Sequence, residues 1–341
     1  MKKSGRNSSL ELLRIFCILG ILCMHLCGTF SESGNIVTLI QLNAVNSLFN
    51  ICVSIFILIS GYFGITRRID KMFSLWCTVV FYSILGAAVP ILLGNPPELT
   101  FLFKSLFPTV TGKYWYFTTY LILWLFSPYL NRISEALTQR HFKILLLLLV
   151  LVFYVFPTFF YFEIIKDNGK GPVNMLIVYL IGRYLNKYPV HPAAWKKVCC
   201  FSLSITAAFA LNFTTSLLRG RAFAPFARDN SLFMLCGAVC CFLCFKEKAI
   251  HSAFINLISK NIFAVYISEI ILRNIIHDYS VISFLDGKWY LFFAVFGLSL
   301  VIFTVCSLFE SLRKLVFSWP EKKLSVILQG LLRRIRTSLP L

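Results

Sequence analysis

The sequence predicts an all-α protein: a polytopic bundle of about ten transmembrane helices with both termini in the cytoplasm. Three observations predict it. Hydrophobic residues fill 58% of the 341 positions, 35 of them Phe, while charged residues make up only 14%. The mean hydropathy of +0.78 lies far outside the range of soluble domains. The charges also cluster between apolar blocks, with Lys and Arg concentrated in alternate gaps in the manner of membrane loops.

Ten apolar blocks span 9–30, 44–65, 73–94, 114–131, 144–162, 173–187, 197–217, 230–246, 259–277 and 289–310. An even count puts both termini on one side. With the N-terminus placed inside, 23 of the 33 Lys and Arg fall in inside segments and 8 in outside ones, leaving Arg14 and Arg273 within spans. That bias fits the positive-inside rule and supports both the parity and the orientation. It also accounts for the net charge of +19 without nucleic acid, because no basic segment is long or independent of the spans.

The first block is NSSLELLRIFCILGILCMHLCGTF, with three ionisable side chains at membrane depth: Glu11, Arg14 and His25. Such residues are costly in lipid and mark functional sites or buried partners. Arg14 and His25 are eleven positions apart, three helical turns, so they share an azimuth; Glu11 lies three before Arg14. Glu11, Arg14, Ile18, Ile21 and His25 thus form one face, with roughly 16 Å of axis between Arg14 and His25. An interfacial anchor and a packing histidine are the structural alternatives. A basic start (Lys2, Lys3, Arg6) suggests a signal peptide, but the run is long, charged and without a small-x-small cleavage site, so it reads as a retained helix.

The second block ends in Ser60-Gly61-Tyr62, followed by Arg67 and Arg68. Glycine permits close approach of a ligand or of another helix; beside basic residues it suits an anionic cosubstrate. The fourth block opens with Lys113-Tyr114-Trp115-Tyr116, which suits either an interfacial aromatic belt or a sugar-stacking wall. The ninth block places Tyr266, Glu269, Arg273 and His277 on one stripe, Glu269 preceding Arg273 by the four residues that favour a helical ion pair. Its natural counterpart is the polar face of the first helix.

Residues 1–320 read as one transmembrane domain and 321–341 as a basic amphipathic cytoplasmic tail lying on the anionic leaflet. Most of the 12 Cys sit in apolar blocks and read as small hydrophobes. The CxxC at Cys241 and Cys244 lacks a second pair with zinc spacing, so no metal site is expected. No HExxH, GxSxG, P-loop or dinucleotide fingerprint occurs. The absence of paired loop carboxylates weighs against a metal-dependent glycosyltransferase.

The order of these motifs resembles the acyltransferase-3 family of membrane acyltransferases. The resemblance rests on LELLRIFCILGILCMH (Leu10 to His25), IFILISGYF (Ile55 to Phe63), KYWYFTTYLILWLFSPYLN (Lys113 to Asn131), VYLIGRYLNKY (Val178 to Tyr188) and SKNIFAVYISE (Ser259 to Glu269). It implies transfer of an acyl group, commonly acetyl, from a cytoplasmic acyl-CoA to a hydroxyl of a surface polysaccharide or a lipid-linked precursor, in a bacterial plasma membrane. It implies His25 as the catalytic histidine and Arg14 as its essential partner. With these, Glu11 would orient Arg14; Gly61, Tyr62, Arg67 and Arg68 would help hold acyl-CoA; Trp115, Tyr116, Tyr266, Glu269 and Arg273 would line the acceptor site. One departure stands out: the family's ninth span commonly has a His after its Tyr, where this chain has Ser268-Glu269. The alternative from another class is a secondary transporter or flippase for a polysaccharide precursor, which would call for inverted repeats.

Overall fold

The computed structural model describes residues 7–338, with the side chains of Asp278 and of residues 331–338 left aside. Every regular element among them is helical. The helices are α1 (Ser8–Cys27), α2 (Ile36–Phe49), α3 (Ile51–Phe63), α4 (Ile69–Leu92), α5 (Leu99–Leu106), α6 (Trp115–Ala136), α7 (Gln139–Val150), α8 (Phe156–Phe159), α9 (Pro172–Lys187), α10 (Ala194–Arg219), α11 (Leu232–Lys246), α12 (Ala253–Ile258), α13 (Ile262–Asp278) and α14 (Leu291–Ser338). All ten apolar blocks lie on helix. Seven helical units among the described residues are long and apolar enough to cross a membrane. Of the other three blocks, α9 and α11 have 16 and 15 residues, about 24 and 22 Å of axis and short of a ~30 Å hydrocarbon layer.

Polar contacts sort the loops into two ends. At one end the Ser8 amide donates to the Ile250 carbonyl, the Ser9 hydroxyl to Phe245, Lys187 to Ser134 and Leu137, and Lys197 pairs with Glu247. At the other, the Ser33 and Thr38 hydroxyls donate to Asp286, Arg221 pairs with Glu32, and Arg228 with Glu163. We call these the Arg14 end and the His25 end. The first gathers the loops that the charge bias assigns to the inside.

The core is built around α1, which touches α2, α3, α11, α13 and α14. Leu13, Cys17 and Cys23 on it are fully buried. Asn7 caps it, its side chain accepting from the Ser9 amide. α3 and α9 pack closely because each supplies a glycine to the contact: a Cβ on Gly61 would overlap the Tyr179 carbonyl oxygen, and one on Gly182 the Tyr62 amide.

Three sequence expectations need correction. The second span begins near Ile36, eight residues before the expected 44. Thr38, Gln41 and Asn43 look too polar for a span, but each has a partner: Thr38 meets Asp286, Gln41 the Lys288 carbonyl and the Phe292 amide, Asn43 the Ser216 hydroxyl. The 95–113 loop holds the short helix α5. Arg313, counted above among the loop cations, is a core residue of α14. It is 2% exposed, donates to Glu310 (2.7 Å), Glu321 (2.5 Å) and Thr78 (3.0 Å), and the Tyr82 hydroxyl also reaches Glu310 at 2.9 Å. α14 continues through Pro320, so helix runs across the expected tail boundary. Part of the tail's apolar face (Leu331, Leu332, Ile335) lies outside the described side chains, and Lys2, Lys3 and Arg6 lie outside the described residues.

Candidate active site

The polar faces of α1 and α13 meet. His25 Nδ1 and Glu269 Oε1 are 2.9 Å apart, and the other carboxylate oxygen, Glu269 Oε2, is 3.3 Å from Arg273 Nε. The carboxylate is 4% exposed, whereas His25 and Arg273 keep 33% and 29% of their side-chain surface. A buried carboxylate thus sits between an imidazole and a guanidinium, each with an open side. With Nδ1 donating to Glu269, the lone pair at His25 Nε2 is free to take a proton.

The sequence explains how α1 and α13 come to face each other at this depth. The Ser8 hydroxyl donates to the Ser252 carbonyl, fixing the start of α1 beside the start of α12. From there His25 is 17 residues along α1, and Glu269 is 17 residues on through α12, the 3₁₀ turn Ser259–Asn261 and α13, about 25 Å of rise for each. Equal paths from a common origin bring the two side chains level.

Three turns from His25, Arg14 Nη1 donates to Glu11 Oε1 at 2.8 Å. Between the two lies a cavity of about 230 Å³, walled by Arg14, Ile18 and Ile21 of α1, Val53, Phe56 and Ser60 of α3, Leu75 of α4, Tyr116 and Tyr120 of α6, and Ile262, Phe263 and Tyr266 of α13. Arg14 and Lys260 are its two cationic walls; Ile21 and Tyr266 are each within about a turn of His25 and Glu269. Of the α1 face read from spacing, Arg14, Ile18 and Ile21 wall this cavity, while Glu11 and His25 lie beyond its lining at either end.

The remaining candidates divide. Tyr116 and Tyr266 line this cavity and meet edge to face at 5.5 Å. Trp115 sits behind Tyr116, rings 5.9 Å apart, with Lys170 Nζ 6.0 Å from its ring. Gly61 does not line the cavity. It belongs to the α3–α9 contact, so its need for glycine is met by a helix rather than a ligand. Tyr62 also packs away, against Phe242 at 5.4 Å and Lys246 at 5.1 Å. From that tripeptide only Ser60 reaches the cavity. Arg67 lies over the Trp124 ring at 5.3 Å, and Arg68 pairs with Asp70 on the border of a separate basic cleft between α4 and α14. His277 is exposed. Among the described residues no cluster of three His, Cys, Asp or Glu is arranged to hold a metal ion.

Lys113 does not sit at an open interface. Its Nζ donates to Ser105 Oγ at 2.6 Å and lies 4.3 Å from the Phe101 ring, tying the α5 segment to the start of α6. Burial pushes its ammonium down to about 8.

Sequence reasoning missed Tyr120 and Lys260 as cavity walls. Tyr120 lies one turn after Tyr116 in the same aromatic run, a periodicity the sequence displays. Lys260 carried no such signal, being one of many basic residues near span ends. The family model described as "Acyltransferase domain" matches residues 7–308. No curated protein and no solved structure matches the chain.

Proposed function

The chain belongs to the acyltransferase-3 family, and from that premise we propose that it is an O-acyltransferase of the plasma membrane. It moves an acyl group, acetyl in the simplest case, from acyl-CoA to a hydroxyl of a surface polysaccharide or its precursor. The observation that carries this reading is the 2.9 Å contact of His25 with Glu269, about one helical turn beyond Ile21 and Tyr266, which line a cavity that starts at Arg14. The donor fits that shape. Arg14 and Lys260 suit its phosphates, and the roughly 16 Å from Arg14 to His25 suits an extended pantetheine arm. On this reading the Arg14 end faces the cytoplasm, which agrees with the charge bias.

In the transfer, His25 Nε2 takes the proton of the acceptor hydroxyl as that oxygen bonds to the thioester carbonyl carbon. The carbon–sulfur bond then breaks, and His25 returns the proton to the departing thiolate, so the imidazole ends as it began. Glu269 holds Nδ1–H, fixes the ring's tautomer and orientation, and compensates the imidazolium that exists between the two proton transfers. Arg273 neutralises Glu269 while His25 is neutral. Glu11 holds Arg14 in place. Glu269, standing where the family's His is expected, thus has a role of its own as the partner of His25.

The test uses purified protein in lipid nanodiscs with radiolabelled acetyl-CoA, together with the ester content of surface glycan in cells. His25→Ala abolishes transfer and glycan acylation while leaving the protein folded and monodisperse. Full glycan acylation by the variant, measured by mass spectrometry, would falsify the assignment.

A further inference from the structure

The basic cleft between α4 and α14 holds about 860 Å³ and shares no wall residue with the Arg14 cavity. Arg68 and Lys71 from the start of α4, and Arg313, Lys314 and Lys322 from α14, face it against two carboxylates, Asp70 and Glu321. Much of that charge is already matched. Arg68 pairs with Asp70 and Arg313 with Glu310 and Glu321, while Lys314 meets Glu310 at 3.4 Å and the Asn261 side-chain oxygen at 2.8 Å. Lys71 and Lys322 are exposed and have no partner among the described residues. They stand one on each helix, so the cleft offers two unmatched ammonium groups to a single anion, with the hydroxyls of Ser318 and Ser325 beside them.

A soluble phosphate and a lipid headgroup share this chemistry, and the neighbours of the cleft distinguish them. Leu315 and Val326, which line it, are 79% and 68% exposed, and Leu312, Val316 and Ile327 on the same helix are exposed too. Exposed apolar side chains among unmatched cations are the composition that seats a helix at headgroup level. Each wall also carries an exposed tryptophan, Trp76 on α4 and Trp319 on α14, with Lys323 Nζ 3.8 Å from the Trp319 ring. Tryptophan is enriched at the same depth. Arg313 reaches Thr78 at 3.0 Å and the Ser74 hydroxyl reaches Glu321 at 3.5 Å, so the cleft opens beside the first turns of α4. The charge bias places this end in the cytoplasm, where the leaflet carries anionic lipid. The α14 wall begins at Arg313, beyond the residues 7–308 that the family model matches, so family membership does not account for it.

We propose that the α4–α14 cleft binds the headgroup of an anionic phospholipid of the cytoplasmic leaflet. Lys71 and Lys322 hold its phosphodiester from two sides, the serine hydroxyls donate to its remaining oxygens, and its acyl chains run along Leu315 and Leu312. A zwitterionic lipid is disfavoured because its own cation would meet the two unmatched lysines. The proposal is independent of the acyl-transfer reading.

The experiment measures lipid retained by the full chain in neutral detergent, by native mass spectrometry, with dioleoyl phosphatidylglycerol and dioleoyl phosphatidylcholine as probes. Wild type binds one phosphatidylglycerol at least about tenfold more tightly than phosphatidylcholine. Each lysine contributes about fivefold, so Lys71→Gln with Lys322→Gln weakens phosphatidylglycerol binding some 25-fold. Lys71→Arg with Lys322→Arg keeps the preference. Lys143→Gln with Lys196→Gln removes two exposed cations of the same end from outside the cleft and leaves binding within about twofold. Unfolding temperatures recorded alongside show that each variant is folded. A wild type indifferent between the two lipids, or equal losses in the two Gln pairs, reduces the attraction to a diffuse surface charge and overturns the proposal. Displacement of the bound lipid by millimolar inorganic phosphate or CoA makes this a site for a soluble phosphate and overturns it as well.

Discussion

Replacing Glu269 by Gln is the sharpest perturbation of the site, because shape and burial are kept and only the charge is removed. The magnitude follows from the geometry. At 2.9 Å, a full imidazolium–carboxylate attraction at an effective dielectric near 20 is about 6 kcal/mol. The amide of the Glu269→Gln variant retains a neutral hydrogen bond of about 1 kcal/mol. His25 is one-third exposed, so solvent screens part of the remainder, leaving a loss of about 2–4 kcal/mol in the transition state. That corresponds to a fall of roughly 30- to 1,000-fold in kcat, with the donor KM little changed because the charge pair exists only during proton transfer. The assay is thiol release from acetyl-CoA by nanodisc-embedded protein, with thermal unfolding measured in parallel to confirm the fold. A variant folded like wild type and within threefold of its kcat refutes the His25–Glu269 dyad.

Arg14→Ala should raise the acyl-CoA KM by about 10- to 100-fold, the range for losing a hydrogen bond to a charged group, and Arg14→Lys should recover part of it; an unchanged KM in steady-state kinetics would separate Arg14 from the donor. Gly61→Ala should cost stability, about 1–3 kcal/mol of overpacking against Tyr179, without raising the acyl-CoA KM of whatever protein folds; a selective KM effect at normal unfolding temperature would restore the ligand-approach reading. Arg313→Ala should lower the unfolding temperature strongly, since breaking a buried pair costs about 3–5 kcal/mol, while folded protein keeps its turnover. Lys113 has a folded-state value lowered to about 8 from 10.5, so the unfolded chain holds more protons between those values and stability should rise with pH across that window. Lys113→Met should flatten that slope in a pH series of melting curves, and a slope equal to wild type would contradict it.

The polar face of α1 was legible because membrane depth makes charge conspicuous and helical spacing sets its azimuth. The α13 stripe was legible for the same reason, and its meeting with α1 followed from there being only two such faces to pair. Gly61 was ambiguous in principle: close approach of a helix and close approach of a ligand place the same demand on sequence, and only the Tyr179 carbonyl distinguishes them. The start of α2 was hidden because Thr38, Gln41 and Asn43 are polar residues made tolerable by tertiary partners far along the chain. Arg313 was hidden by an orientation rule that treats basic residues at span ends as loop charges, whereas here Glu310, Glu321 and Thr78 enclose it.

The ordering of exposure across His25, Glu269 and Arg273 bears on which residue makes the dyad possible. A carboxylate 4% exposed cannot stay ionised at membrane depth without a permanent counter-charge. His25 cannot supply one, because a proton-accepting imidazole is neutral before the reaction. Arg273 can, since a guanidinium stays charged whatever its surroundings. It sits four residues along the same helix, so its 3.3 Å contact forms with the helix itself and owes nothing to bound substrate. Arg273 is therefore a positioning residue, acting on His25 only through the charge of Glu269. Arg273→Ala should lower kcat nearly as far as Glu269→Gln, and in the Glu269→Gln background it should add little, because the charge it serves is already gone. Arg273→Lys should restore much of the rate. Additive losses in that double-mutant cycle would show that Arg273 touches the substrate directly, and the order Arg273, Glu269, His25 would have to be abandoned.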